Sequence, residues 1–411
     1  MTTAVSDLDL PAFDNDDTTL CGNAFHETME RLAASSWLAR TPLGVLTLDR
    51  AAGEFFLRSR SSIFPGQLLA QMYGVESGPL REEIDRNILH LDGDVHRRLR
   101  SLVGPFFTPR AADRWRPAMR GFLADLWSGV DSVGSCEFVD AFAKPYPSLT
   151  IAAVMGAPRS DAPRLHAWSN WIQRQFDGPS LTHDRDQIVE AVEEFYAWCD
   201  ELLISRRGDP GDDLVSVLIA AEQDGDRLTD VELVNLVLNV LIGGVDTTQA
   251  QLAHALRLFA QHPDQWALLA REPERVPQAV EEVLRHEPIT PFTARILTAD
   301  LTYRDVLFPA GTIVMIGAFT GNRDDAGDPA FDITADRSGK RLLTFGAGIH
   351  FCLGVNLATA ELEEALSFLA PRMSGLHLTA PAQFGTIQGI YGLDRLELAW
   401  TPDATTQVRP G

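Results

Sequence analysis

One helical pattern, running without interruption from Asp230 to Gln261, restricts the fold more than any other part of the chain. Thr229 ahead of it can accept from the backbone near Glu232, whose side chain can reach back, and Pro263 stops the run. At about 1.5 Å per residue the helix is about 48 Å long, enough to cross a whole molecule, so the rest of the chain must pack around it. In its middle lies I-G-G-V-D-T-T, residues 242–248, where two glycines each cost about 1 kcal/mol against alanine. A close crossing of two helices and the approach of a ligand are equally good reasons for Gly243 and Gly244. The apolar part, Val231 to Val245, carries Glu232, Asn235 and Asn239 and falls short of the roughly 20 apolar residues of a membrane span. It is expected to be a core helix.

Helical periodicity recurs at about 26–39, 94–103, 111–128, 146–155, 161–175, 186–206, 212–223, 277–286 and 353–369, and strand-like segments are short and concentrated after residue 290. The expectation is a mainly α fold with small β-sheets. No repeat or low-complexity linker divides the 411 residues, so residues 1–411 read as a single large domain with about the first 20 as a flexible tail. Asp and Glu outnumber Lys and Arg by 57 to 35, giving a formal net charge of −22. That charge repels phosphate backbones and anionic lipid and argues against a nucleic-acid partner. The N-terminus has no basic and apolar regions of a signal peptide or anchor. Cys21, Cys136, Cys199 and Cys352 are far apart with no C-x-x-C pair, which argues for a reduced, cytoplasmic protein without a zinc cluster.

The segment L-L-T-F-G-A-G-I-H-F-C-L-G-V-N-L-A, residues 342–358, gives one of these cysteines a special setting. Gly346 and Gly348 permit a tight loop, Gly354 permits something bulky to approach, and Cys352 falls where an apolar-periodic helix begins. Unpaired N–H groups and the helix dipole there favour a thiolate, a soft metal ligand. The other three cysteines read as small buried hydrophobes. The pattern F-G-x-G-x-H-x-C-x-G, Phe345 to Gly354, resembles the haem-binding loop of the cytochrome P450 family. Together with four further motifs in the family's order, the resemblance covers residues from about 90 to 365.

The resemblance implies a cytochrome P450 fold around a buried haem b, iron protoporphyrin IX, with Cys352 as the metal ligand. Phe345, Gly346 and Gly354 would shape its loop. His96 and Arg100, one helical turn apart in H-R-R-L-R, would reach a propionate. Arg295, in P-F-T-A-R, and His350 would add further propionate contacts. Glu282 and Arg285, the E-x-x-R pair, would form a buried structural ion pair, completed by either Arg323 or Arg337 because the usual Arg before F-D is replaced by Ala330. G-G-V-D-T-T would place Gly243 and Gly244 against the haem face and supply Asp246 and Thr247 as the acid–alcohol pair for proton delivery. Two departures stand out: D-G-D-V-H lacks the family's two prolines, and Thr359 replaces the Arg usual after L-A.

In activity, the resemblance implies a haem-thiolate monooxygenase that uses O2 as co-substrate and inserts one oxygen atom into a C–H bond or C=C of a lipophilic small molecule. Electrons from NAD(P)H would arrive through a separate ferredoxin reductase and ferredoxin, the latter docking near Arg97, Arg98, Arg110, Lys340 and Arg341, and the protein would act as a monomer. Pocket candidates are the loop of residues 64–91, the segment with Trp168, Trp171 and Phe176, Leu238, Gly243, Phe292, Thr293, Ile390 and Tyr391. A haem-thiolate peroxygenase or rearrangement enzyme, and a haem-binding sensor or carrier, are the rivals. The intact Asp246–Thr247 pair argues against each.

Overall fold

The capping box does open the long helix: Thr229 accepts from the Glu232 N–H at 3.3 Å, and the Glu232 carboxylate accepts from the Thr229 N–H at 2.9 Å. These distances come from a computed structural model that describes residues 2–223, 228–324, 330–337 and 341–402. In chain order the helices that frame the site are α1 (Gly93–Val103), α2 (Pro145–Met155), α3 (Ala162–Gln173), α4 (Arg185–Gly208), α5 (Asp230–Gly244), α6 (Asp246–Gln261), α7 (Val276–His286) and α8 (Val355–Leu369). The fold is mainly helical with small sheets and forms a single domain. Helices α5 and α6 pass through its main apolar core, which draws in residues from Ala70 to Trp400.

The expected single helix is broken once. Val245 leaves the helical region slightly (φ −92, ψ −71), and α6 restarts at Asp246. Hydrogen bonds continue on both sides, Val245 N–H to Leu241 O at 3.2 Å and Gln249 N–H to Val245 O at 3.0 Å. By length and composition, Asp230–Gln261 would pass as a membrane span, contrary to the expectation from its sequence, but 67% of its apolar window is buried within the protein.

Strands also occur well before residue 290. The largest sheet contains β1 (Leu38–Thr41), β2 (Gly44–Thr47), β3 (Ser62–Ile63), β4 (Phe292–Leu297) and β5 (Ile313–Gly317), in the order β1-β2-β5-β4-β3. In β4, which pairs antiparallel with β5 with Arg295 opposite Val314, alternation puts Thr293 and Arg295 on one face and Phe292 and Ala294 on the other. The periodicity at 26–39 corresponds to a helix at Gly22–Ser35 that ends before β1. The stretch 111–128 is two helices, Pro109–Asp113 and Arg116–Trp127; Pro117 cannot donate back into a preceding turn, which suits it only to a helix start.

The expected loose tail is instead laid on the body. Thr3–Ala4 pairs in parallel with Val306 and Leu307. Phe13 is buried in an aromatic cluster, 5.3 Å from Phe292 between ring centroids, with Phe25 beside it.

Candidate functional site

The loop before α8 is built as its glycines predict. Gly346 and Gly348 have φ of 67° and 74°, and a Cβ on Gly348 would lie 2.4 Å from Leu57 O. The Cys352 N–H donates to Phe345 O at 2.9 Å and closes the loop. The helix proper starts only at Val355. Part of Cys352 remains accessible, yet protein packs closely enough around the sulfur that burial pushes its thiol up, against the N–H groups of Gly354 and Val355 and the charge of Arg100. The N–H groups at the helix start favour the anion as expected, but burial opposes them, so an anion here needs a positive partner. No group of three or more His, Cys, Asp or Glu among the described residues could hold a metal ion, so a metal at Cys352 must bring its other ligands. A Cβ on Gly354 would meet nothing within 4 Å, leaving space for such a group. The other cysteines are free, and burial pushes Cys136 and Cys199 up to about 12.

Four nitrogen-bearing side chains converge beside this loop. His96 and His350 have ring centroids 4.5 Å apart, and His350 Nε2 lies 3.3 Å from Asp92 Oδ1. Arg100 donates to Phe351 O from α1. Arg295 is 4% exposed and donates to its own neighbour's carbonyl, Ala294 O, at 2.8 Å; among the described residues no carboxylate forms an ion pair with it. Burial draws its pKa down to about 10 and draws both histidines down to about 4. His96 Nδ1 is buried without a partner. A buried group of this kind is short of anions, and two propionates at the edge of a porphyrin supply them. The residues present fit a haem.

The E-x-x-R pair is buried, Arg285 Nε to Glu282 Oε2 at 2.7 Å, with both side chains 3% exposed. Arg337 is the third member, its Nε 2.9 Å from Glu282 Oε2. Arg323 instead donates to His286 O at 2.6 Å and lies over the Phe319 ring. The Asp332 N–H donates to Glu282 Oε1 at 3.0 Å, and the Thr344 hydroxyl donates to Leu284 O at 2.7 Å. This network ties α7 to the strand of chain that enters the cysteine loop.

On the opposite side, α5 and α6 present a stripe of accessibility in an otherwise buried helix pair. Asn239, Gly243 and Thr247 recur at every fourth position and keep accessible surface, while Leu238, Leu241, Ile242 and Val245 are buried. The Thr247 hydroxyl donates to Gly243 O at 2.7 Å. Asp246 points the other way, buried and accepting from the Ser169 hydroxyl and, at 3.4 Å, from Asn170 Nδ2, both on α3. Burial raises its carboxyl above the usual range.

The sequence model of the cytochrome P450 family matches residues 80–369. The chain belongs to the cytochrome P450 family. The chain is 38% identical over 370 residues to luteothin monooxygenase of Streptomyces thioluteus, covering 88% of this chain and 90% of that one. Mycinamicin IV hydroxylase/epoxidase of Micromonospora griseorubida is 34% identical over 304 residues, 73% of this chain and 75% of its own. The crystal structure of CalO2 superposes with a TM-score of 0.89 at 28% identity, over 96% of this chain and all of that one. The protein is thus an oxidoreductase, a P450 monooxygenase whose cofactor is haem.

Within this P450 the structure redistributes several expected roles. Gly244 does not face the haem space: a Cβ there would lie 2.3 Å from Ile151 Cδ1 on α2, so this glycine serves a helix crossing. A Cβ on Gly243 would meet nothing within 4 Å, so the space expected beside it is open. Leu238 is fully buried, whereas its neighbour Asn239 keeps accessible surface. Phe292 packs on Phe13 and Phe25, whereas Thr293 shares the face of Arg295. Trp168 belongs to the core with Phe195 and Trp198 and donates to Glu194 at 2.8 Å. Ile390 is half-buried beside the fully buried Tyr391. The accessible position of Asn239 was not read from the sequence, because an amide in an apolar run reads as a blemish; its spacing of four from Gly243 was the available signal.

Proposed function

We propose that this P450 acts in the cytoplasm as a monomer and inserts one oxygen atom from O2 into a C–H bond or C=C of a small organic molecule, using electrons from a separate ferredoxin and its NAD(P)H-dependent reductase. The observation that carries the reading is the division of labour at the α5–α6 break, with Thr247 turned to the open space and Asp246 turned away from it. Cys352 would ligate the iron, and His96, Arg100, Arg295 and His350 would hold the propionates. The haem-thiolate supplies oxygen activation once reduced.

The residues around it manage protons and water. The Thr247 hydroxyl proton is committed to Gly243 O, which leaves its oxygen lone pairs free to accept from a water on the open side. Asp246, with its carboxyl raised by burial, would take up protons more readily than an exposed aspartate and, on turning from Ser169 toward Thr247, release them to that water. Gly243 keeps the space beside Thr247 free. The relatives' names, among them luteothin monooxygenase, nocardicin C N-oxygenase and erythromycin C-12 hydroxylase, support oxidation of a small molecule rather than of a macromolecule.

Two measurements test the reading. The reduced, CO-bound protein should show the strongly red-shifted Soret band of thiolate-ligated haem and lose it in Cys352→Ser. Thr247→Ala should keep substrate-stimulated O2 consumption but divert most of it, about tenfold less product per O2, into hydrogen peroxide. Fully coupled turnover in Thr247→Ala would contradict the proton-positioning role.

A further inference from the structure

The accessible stripe on α5 carries an acceptor with nothing to accept from. Asn239 Nδ2 donates to Asn235 O at 2.7 Å and to Asn235 Oδ1 at 2.9 Å. Two acceptors on one side fix which end of the amide is nitrogen. Asn235 is itself anchored, donating to the Tyr196 hydroxyl on α4 at 3.3 Å. The Asn239 side chain is therefore held from behind by a two-link chain, and its Oδ1 is buried without a hydrogen-bond partner. An unmade bond at a buried carbonyl costs about 1–3 kcal/mol, so a pocket that keeps one gains by receiving a donor.

The position of that oxygen matters as much as its state. Asn239 precedes Gly243 by four residues, one turn of the same face and about 6 Å along the axis at 1.5 Å per residue. Gly243 and Thr247 continue the stripe along the same face, with open space beside Gly243. Nearby apolar lining would accept many molecules in many orientations, whereas one fixed acceptor selects a molecule with a donor at the matching distance.

We propose that Asn239 is a specificity-determining residue, whose side-chain oxygen accepts a hydrogen bond from a hydroxyl or N–H group of the substrate about one helical turn from the carbon that is oxidised. The substrate class is then narrower than lipophilic: an apolar molecule that carries a hydrogen-bond donor near its reacting end. This rests on the haem-thiolate reading above.

Iron-binding probes test it without knowledge of the substrate. 4-Phenylimidazole, its 3- and 4-hydroxyphenyl forms, and the methyl counterparts of the same size are titrated into the haem-loaded protein, and Kd is read from the Soret shift. In the wild type at least one hydroxyl probe should bind fivefold or more tightly than its methyl counterpart. Asn239→Leu should abolish that preference and Asn239→Gln, which retains both the amide donor and the acceptor, should keep part of it, with the parent probe bound by all three. Absence of the preference in the wild type, or its survival in Asn239→Leu, would overturn the proposal. The CO spectrum, recorded first, separates the two levels: without the thiolate band in the wild type the haem-thiolate reading itself falls, and with the band in all three proteins the variants are shown to be folded.

Discussion

His254 has no room for a second proton. Its Nε2–H donates to Tyr391 O at 3.1 Å, its Nδ1 accepts from Arg257 Nε at 3.4 Å, and the ring is fully buried. Arg257 in turn pairs with Glu287, which also meets His26 at 3.0 Å. Burial, with the Arg257 charge and against the Glu287 charge, draws His254 down to about 3, while the Arg257 and His26 charges hold Glu287 below the usual carboxylate range. The unfolded chain therefore takes up this proton near pH 6.5 and the folded one does not. Stability from neutral His254 is complete above that pH and falls by about 1.4 kcal/mol per unit on acidification. Between pH 7 and pH 5 the wild type should lose about 2 kcal/mol more than His254→Gln in denaturant unfolding; parallel profiles for the two would remove the assignment. None of this was legible in the sequence, because residues 26, 254, 257, 287 and 391 meet only through the fold. That His96, Arg100 and Arg295 would gather beside the Cys352 loop was legible, because motif spacing and order carried it. The state of the thiol was not, since desolvation depends on packing from distant segments.

At the scale of elements, the capping box at Thr229 made the start of α5 readable, whereas the break at Val245 left no local mark beyond two glycines. Of the two alternatives left open for that pair, a helix crossing accounts for Gly244, while Gly243 faces open space. Gly244→Ala should drive a methyl into Ile151 and cost about 1–2 kcal/mol net of the helix-propensity gain. Ile151→Val, which removes the colliding methyl, should restore part of it. Gly243→Ala faces open space and should be as stable as the wild type or gain up to about 1 kcal/mol, while it weakens binding of bulky ligands. Chemical denaturation of the three variants checks the order; equal effects at the two positions would contradict the split. The β1–β2 hairpin was not legible because L-A-R-T carries too few alternations to stand out from the helical run before it. Arg337 could not be chosen over Arg323 from spacing, since the choice depends on which loop folds back over α7.

Over the whole molecule, a charge of −22 makes approach by another acidic protein unfavourable except where basic groups gather. Of the residues expected to dock a ferredoxin, Arg97 pairs with Asp94, Arg98 pairs with Glu232, and Lys340 lies outside the described residues. Arg110 and Arg341 are exposed, as is Arg114, which was not among the expected residues, and Asn356 Nδ2 donates to Phe107 O at 2.8 Å, which ties the segment just before Arg110 to the start of α8. Charge reversal of Arg110 and Arg114 together should raise the ferredoxin KM about fivefold or more at low salt and much less near 0.5 M salt. An unchanged KM would place docking elsewhere. The N-terminal segment has a consequence in time rather than in space. Thr3 and Ala4 wait for Val306 and Leu307, and the Gly22 N–H waits for the Tyr391 hydroxyl at 2.6 Å. At about 5–20 residues per second of synthesis, Thr3 and Ala4 stay unpaired while about 300 further residues are made, and the Gly22 N–H while about 370 are, a wait of tens of seconds.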